Sequence, residues 1–288
     1  MPNLIDLRRR LRSVQNTQQI TKAMKMVSAA KLRRAQENAL NARPYSTLLH
    51  ATMASILANE SKDSAAFDHP LLKCREEKST LLLLLSGDKG LCGAFNGNVF
   101  RASENFITNH DTKRIDLELI GKRGLDYFRR KEGNVSGAWP DVFKHVELQT
   151  ARAISTKVME RFTGKEIDSV YLLYNKFKSV LTQEVKLRRL LPVEIPDTIE
   201  SSVTEYIYEQ PASDILRDLL PKYVETDIYH AMLESAAAEH AARMTAMDSA
   251  TRNAEEMIEK LTLHLNRVRQ ASITKEIIEI VSGAAALA

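Results

Sequence analysis

The sequence predicts an α/β fold: a long antiparallel coiled coil made by the N- and C-terminal helices, plus a small α/β domain between them. Three observations predict it. Nine of the ten glycines lie between Gly87 and Gly164, while the stretches Asn3 to Arg43 and Lys222 to Ser282 contain neither Gly nor Pro. Apolar residues in both of those stretches recur in steps of three and four, the spacing of a helical seam. The middle of the chain instead alternates short apolar runs with helical patterns. The boundaries that follow are an N-terminal helix over 1–60, an α/β domain over 75–208, and a C-terminal helix over 212–288 that pairs with 1–60 as one rod.

The first helix carries Leu4, Leu7, Leu11 and Val14 in steps of three and four, after which Ile20, Met24 and Val27 resume on a shifted phase. Gly and Pro cost about 1 and 3 kcal/mol in a helix interior, so their absence over such lengths favours continuous helix. At about 1.5 Å per residue the second uninterrupted run alone reaches roughly 90 Å. Its seam, Met247, Thr251, Ala254, Ile258, Leu261, Leu265 and Val268, alternates four and three throughout. After Val268 the phase jumps to Ile273, Ile277, Ile280 and Ala284, as happens where a partner ends or a supercoil changes. The acid-before-base pairs Glu239 with Arg243, Asp248 with Arg252, and Glu256 with Lys260 read as a solvated helix flank. The last residues, Ile280 to Ala288, are apolar and uncharged, which makes sense at a chain end when another molecule surrounds it. A helical bundle would use the same stripes. It needs helices of similar length folding back on one another, whereas these runs sit at opposite ends of the chain.

In the middle, Thr80 to Ser86, Arg114 to Ile120, Ser136 to Trp139 and Val170 to Asn175 read as strands. Helical patterns fall at Asn98 to Asn109, Gly121 to Lys131 and Glu147 to Phe162. This order implies a small, parallel-rich, Rossmann-like domain with helices on its faces, and Gln183 to Leu191 as an antiparallel edge strand. Pro192, Pro196 and Pro211 punctuate the return to the second long helix.

Composition narrows the class. The longest wholly aliphatic run, Leu81 to Leu85, is far short of the roughly 20 residues a bilayer helix needs. Met1 to Ser13 holds four arginines and no apolar signal core, so cytosolic exposure is expected. Cys74 and Cys92 are too far apart for a CxxC motif and fit a reducing compartment. Net charge is +4, yet Met1 to Arg43 holds ten Lys or Arg against two acids, a local net charge of +8. Such a segment calls for an acidic neighbour, whether nucleic acid, anionic lipid or acidic protein loops, or else forms a solvated helix face.

Catalytic constellations are missing. Gly87-Asp88-Lys89-Gly90-Leu91-Cys92-Gly93 follows the first strand, where a phosphate loop would sit, but neither GxxxxGK[ST] nor GxGxxG is present. It reads as a structural turn, with Gly90 and Gly93 supplying positive φ. The seven histidines are scattered, with no HExxH, Cys/His cluster or GxSxG. Carboxylate pairs such as Glu255 and Glu256 fall on a solvated helix, outside any pocket that would raise a pKa. No catalytic residue, cofactor or metal is expected.

Four stretches nevertheless carry a family resemblance: Val14 to Lys31 (VQNTQQITKAMKMVSAAK), Gly90 to Asn96 (GLCGAFN), Glu239 to Met247 (EHAARMTAM), and a C-terminal pattern set by Ile273, Thr274, Glu276, Glu279, Gly283, Ala284 and Ala286. Together they closely resemble the γ subunit of F-type ATP synthases, over nearly the whole chain. The resemblance implies a central rotor shaft, itself non-catalytic, that couples transmembrane proton flow to ATP synthesis and regulates ATPase activity. Its paired helices would turn inside the hexamer of α and β subunits, and its lower part would sit with the ε subunit on the membrane c-ring. No nucleic-acid partner is implied.

Carried across by motif, Arg269, Gln270 and Thr274 look like upper polar contacts to a β subunit, and Lys22, Met24 and Lys25 look like the segment facing the acidic lever loop of β. Lys89 departs from the Arg more usual in the family after the Asp. The dithiol insertion of chloroplast γ subunits is absent, and the form resembles a bacterial chain, peripheral on the cytoplasmic face of the inner membrane. The alternative from another class is a nucleotide-binding α/β enzyme whose helices are oligomerisation arms. A basic coiled-coil nucleic-acid adapter is a third reading, for which interleaved aromatics are lacking.

Overall fold

The computed structural model describes residues 4–59, 69–110, 112–131, 134–193 and 210–285. Two long helices bracket the chain, α1 (Leu4–Asn59) and α5 (Ala212–Ala285). Between them lie β1 (Ser79–Leu85), α2 (Phe95–Asn109), β2 (Arg114–Ile120), α3 (Lys122–Phe128), β3 (Val135–Trp139), α4 (Leu148–Thr163), β4 (Ser169–Phe177) and β5 (Gln183–Leu191). By internal contacts the chain divides into two units, one of residues 1–28 with 244–288 and one of residues 29–243.

In the unit of residues 29–243, five strands among the described residues form one sheet in the order β3-β2-β1-β4-β5. The pairings β1 with β2, β1 with β4, and β2 with β3 are parallel, and β4 with β5 is antiparallel. The expected Rossmann-like arrangement with an antiparallel edge strand is therefore present, each strand within a residue or two of its expected ends. Leu81 to Leu85 are wholly buried, because a central parallel strand is covered on both faces and needs no polar alternation. Leu81, Leu83 and Leu85 face one core with Ile154, Val158 and Phe162 of α4, Met53 and Ile56 of α1, and Leu220 and Val224 of α5. Leu82 and Leu84 face the other, with Val99 and Phe100 of α2 and Phe128 of α3.

Both long helices contain a proline that the sequence reading passed over, Pro44 in α1 and Pro221 in α5. Each removes a backbone donor at about 3 kcal/mol in an isolated helix. Burial of Leu49, Met53 and Ile56 after the first, and of Leu216, Leu220 and Val224 around the second, offsets that cost.

Several buried charges in this unit are paired. Asp116, wholly buried on β2, accepts from Arg114 (2.8 Å) and from Arg161 of α4 (2.6 Å). Glu118, two residues on and on the same strand face, accepts from Lys157 (2.7 Å) and the Trp139 indole N–H (2.6 Å). On α5, Asp227 accepts from His50 of α1 (2.9 Å) and from Arg188 of β5. Burial alone would push the Asp227 carboxyl up, but those two partners win and hold it below the usual carboxylate range.

Two glycines are required by close approach. Gly121 has φ +98°, and a Cβ there would run into the Ser86 carbonyl. A Cβ on Gly137 would fall on the Glu118 carboxylate and the Lys157 ammonium. Gly137→Ala is therefore expected to break that buried pair and cost about 3 kcal/mol. Gly97→Ala, in α2 with nothing within 4 Å of the added carbon, should be neutral or stabilising by up to about 1 kcal/mol. Urea unfolding of both variants checks this; equal midpoints would contradict it.

Candidate functional site

In the unit of residues 1–28 with 244–288, α1 and α5 run antiparallel. Lys25 Nζ meets Asp248 Oδ1 at 2.5 Å, and Thr251 Oγ1 donates to Thr21 Oγ1 at 2.8 Å. Moving four residues back along α1 thus moves three residues forward along α5. The same register sets Leu4 opposite the neighbourhood of Val268. On α5 the seam Met247, Thr251, Ala254, Ile258, Leu261, Leu265 and Val268 is buried or half-buried, as the spacing predicts, and it ends at Ser272.

On α1 the seam departs from expectation. Buried and half-buried positions are Leu4, Leu7, Leu11, Val14, Gln18, Thr21, Lys25 and Ser28, in steps of three and four with no phase shift, and the expected Met24 is half-buried beside that row. Ile20 and Val27, expected in the seam, are 59% and 56% exposed. Helical geometry decides between them: a strict continuation of the Leu7–Leu11–Val14 row arrives at Gln18, Thr21 and Lys25. Small or polar residues therefore occupy the contact, while Ile20, Met26 and Val27 form an apolar stripe turned to solvent.

Beyond Ser272 nothing in this unit covers α5 among the described residues. Ile277, Ile278, Ile280 and Val281 are each more than half exposed, Ile280 at 71%. The expected new stripe after Val268 is thus an unpaired apolar end. Residues 286–288 and the side chains from Gly283 onward, including Ala284, lie outside the described residues, as do Pro196 and the adjoining return segment.

Of the expected contact residues, Lys22 is exposed and Met24 half-buried, while Lys25 is half-buried and tied to Asp248. Arg269, Gln270 and Thr274 are all exposed on α5. The two groups do not meet. Lys25 stands at the level of Asp248, and the 21 residues from there to Arg269 span about 30 Å of helix.

The turn after β1 belongs to the other unit, and the Asp88 carboxylate stands where a bound anion would meet the start of α3. The Asp88 carboxylate accepts N–H bonds from Lys122 at the start of α3 (2.9 Å), from Asp141 (2.9 Å) and from Phe143 (2.8 Å). Gly87 N–H donates to Asn96 Oδ1 (2.8 Å). Positive φ falls at Gly93 and at Leu91, not at Gly90. Gly90 instead presents its carbonyl to Arg243 Nε (3.3 Å).

That arginine corrects a further expectation. Glu239 and Arg243 are a buried ion pair beneath the turn, only 3% and 7% exposed, and not a solvated flank. A Cβ on Gly87 would touch the Glu239 carboxylate at 3.0 Å, which explains the glycine. Arg243 Nη1 also donates to His240 Nδ1 (3.2 Å). Burial, reinforced by the charges of Arg243, Lys31 and Lys89, lowers the His240 imidazole to about 4. Asp248 with Arg252 matches the expectation in part: they pair at 3.1 Å with Arg252 exposed, but Asp248 is half-buried and also holds Lys25. Cys74 is exposed and Cys92 buried, both unbridged. Among the described residues no group of three or more His, Cys, Asp or Glu is placed to hold a metal, and no helix is long and apolar enough to cross a membrane.

A family model described as ATP synthase matches residues 3–287. The ATP synthase gamma chain of Solibacter usitatus is 57% identical over 286 residues, covering 99% of each chain. That of Pelotomaculum thermopropionicum is 47% identical over the whole of both. A chain of the Euglena gracilis mitochondrial ATP synthase, solved as OSCP/F1/c-ring in rotational state 3, superposes with a TM-score of 0.69 at 17% identity, over 99% of this chain and 94% of that one. A chain from the central stalk and c-ring of the Tetrahymena thermophila mitochondrial ATP synthase gives 0.61 at 26% identity, over 80% of this chain and 99% of that one. Two long terminal helices and a mixed five-stranded sheet are thus a fold shared with these ATP synthase chains. The chain belongs to the ATP synthase gamma-chain family, and as such is a non-catalytic subunit of that complex.

The buried His240 makes a pH test possible. Its folded value of about 4 lies below the ordinary 6.5, so the unfolded chain binds the proton more readily between those values. The stability it contributes is present in full above about pH 6.5 and is lost as pH falls through 4. The melting temperature of the full chain should therefore decline over that window, and less steeply in His240→Asn. Parallel profiles would contradict this.

Proposed function

We propose that this chain is the central rotor shaft of a proton-driven ATP synthase, turning inside a ring of α and β subunits and seated with the ε subunit on the c-ring. The observation that carries the reading is the unpaired apolar end of α5, where Ile277, Ile278, Ile280 and Val281 project beyond the last seam contact. Exposed isoleucines at each turn are unfavourable in water and call for a surrounding protein surface. Names of relatives and neighbours that refer to a gamma chain and a central stalk support the same reading.

A shaft drives a catalytic site only if its contact energy differs between that site's conformations, since equal affinity shifts no equilibrium. The two helices supply different faces. α1 carries a basic surface, +8 up to Arg43, whereas residues from Glu234 onward hold eight acids against six bases. Contacts of the apolar end are non-directional, so they release more readily than charge-assisted hydrogen bonds of about 1.5–3 kcal/mol each.

Within this reading Arg269, Gln270 and Thr274 meet a β subunit near the upper end, and Lys22, Met24 and Lys25 face its acidic lever loop, with Ile20, Met26 and Val27 beside them. Lys25 then divides its charge between Asp248 and the partner. Segments 1–60 and 212–288 act as one rod and 75–208 as the base, on the cytoplasmic face of a bacterial inner membrane.

Arg269→Ala, assembled into the complete complex in membrane vesicles, is expected to lower proton-driven ATP synthesis by about tenfold, the effect of one lost charge-assisted contact. Synthesis at the rate of the unsubstituted complex would contradict the assigned contact.

A further inference from the structure

A cleft of about 630 Å³ opens in the unit of residues 29–243, between α1, the segment leading into α4, and α5. Its charged lining is lopsided. Lys31 and Arg34 of α1, Lys144 and His145 ahead of α4, and His240 of α5 converge on it, against the single acid Glu147. Among the described residues neither Lys31 nor Arg34 has a carboxylate within ion-pair distance. Lys144 pairs only with the exposed Asp141 (2.8 Å).

Two further observations set the sign of the field. Glu147 is the N-cap residue of α4, yet its side chain makes no capping hydrogen bond, so the cleft is bordered by the positive end of a 16-residue helix. On the opposite wall His240 is depressed to about 4, by burial first and then by the positive charges of Arg243, Lys31 and Lys89. Burial is the larger cause, and the added push from three cations shows that the local field is positive.

We propose that this cleft is a binding site for a small phosphate-bearing anion, held by Lys31, Arg34 and Lys144. A carboxylate would bring one charge and two oxygens to three cations. A phosphate monoester brings between one and two charges and three acceptor oxygens, and a polyphosphate brings more. The Arg34 guanidinium offers a planar fork suited to two phosphate oxygens, and the lysines supply mobile point charges. The volume falls within the roughly 300–1,000 Å³ of small-molecule sites, so a compact, multiply charged group fits better than an extended acidic peptide. The site is distinct from the Gly87–Gly93 turn, where the Asp88 carboxylate already fills the space facing the N–H groups of Lys122, Asp141 and Phe143. It does not depend on the shaft reading.

Isothermal titration of the full chain with orthophosphate, pyrophosphate and ATP, without divalent cation and at constant ionic strength, tests it. Pyrophosphate is expected to bind saturably with a Kd of about 1 mM or tighter, and more tightly than orthophosphate. The double variant Lys31→Ala/Arg34→Ala, at exposed positions, should weaken it by about tenfold or more. Lys186→Ala, exposed on β5 outside the cleft, should leave it unchanged. ATP no tighter than pyrophosphate identifies free polyphosphate as the ligand, and tighter ATP identifies a nucleotide; both support the site. Absence of saturable heat, or equal weakening by the Lys186 variant, overturns it. Far-UV circular dichroism confirms that each variant is folded, and the single Arg34→Lys variant, which retains charge but not the fork, should lie between the two extremes.

Discussion

Everything else in the unit of residues 1–28 with 244–288 follows from the antiparallel seam between α1 and α5, in which leucines at one end give way to Thr21, Lys25, Ser28, Thr251 and Ala254 at the other. Small side chains let two helices approach closely without a thick apolar layer, and the Thr21–Thr251 hydrogen bond and Lys25–Asp248 pair fix which residue stands opposite which. Register then determines length. Because Leu4 comes level with Val268, α5 continues past the last described residue of its partner, and among the described residues of the unit nothing covers the isoleucines beyond Ser272. A two-helix pair leaves most of each helix facing outward, so the Ile20, Met26 and Val27 stripe is also open to an external surface.

The α/β unit solves a different problem. Its interior holds Asp116 and Glu118 on β2, and Asp227 and Glu239 on α5, and each of these four is met by at least one base from another element or from the next helical turn. Pairs of this kind add little net stability compared with apolar packing, but breaking one leaves a buried charge uncompensated. They therefore specify which strand, helix and turn belong together. Gly87, Gly121 and Gly137 are where a backbone passes close to one of those groups or to a carbonyl, and a methyl would not fit.

Much of the fold was legible in the sequence because its signals are long or repeated. Forty residues without Gly or Pro, a 4–3 spacing kept over seven positions of α5, and five apolar runs bounded by turn residues leave few alternatives. The phase of α1 is hard to read from sequence because Ile20 and Val27, which are exposed, are more hydrophobic than Gln18, Thr21 and Lys25. In a two-helix contact, position along the row decides burial more than hydrophobicity does. Glu239 and Arg243 were taken for a surface pair because i, i+4 spacing is identical on buried and exposed faces, and only the turn packed over them distinguishes the two. The His50–Asp227–Arg188 cluster joins residues more than a hundred positions apart and leaves no local signature. The contact residues on α1 and α5 came from motif resemblance, and their exposure agrees with a surface role for Lys22, Arg269, Gln270 and Thr274 more simply than for Lys25, which already has a partner.

Hydrogen exchange along α5, recorded for the free chain and for the assembled complex, tests the central claim most directly. Residues 247–268, held by the seam, should be protected in both states. Residues 273–282 should exchange rapidly in the free chain and become strongly protected on assembly, as expected for a helix end that is stabilised only by a surrounding partner. Equal protection of 273–282 in the two states would contradict the account.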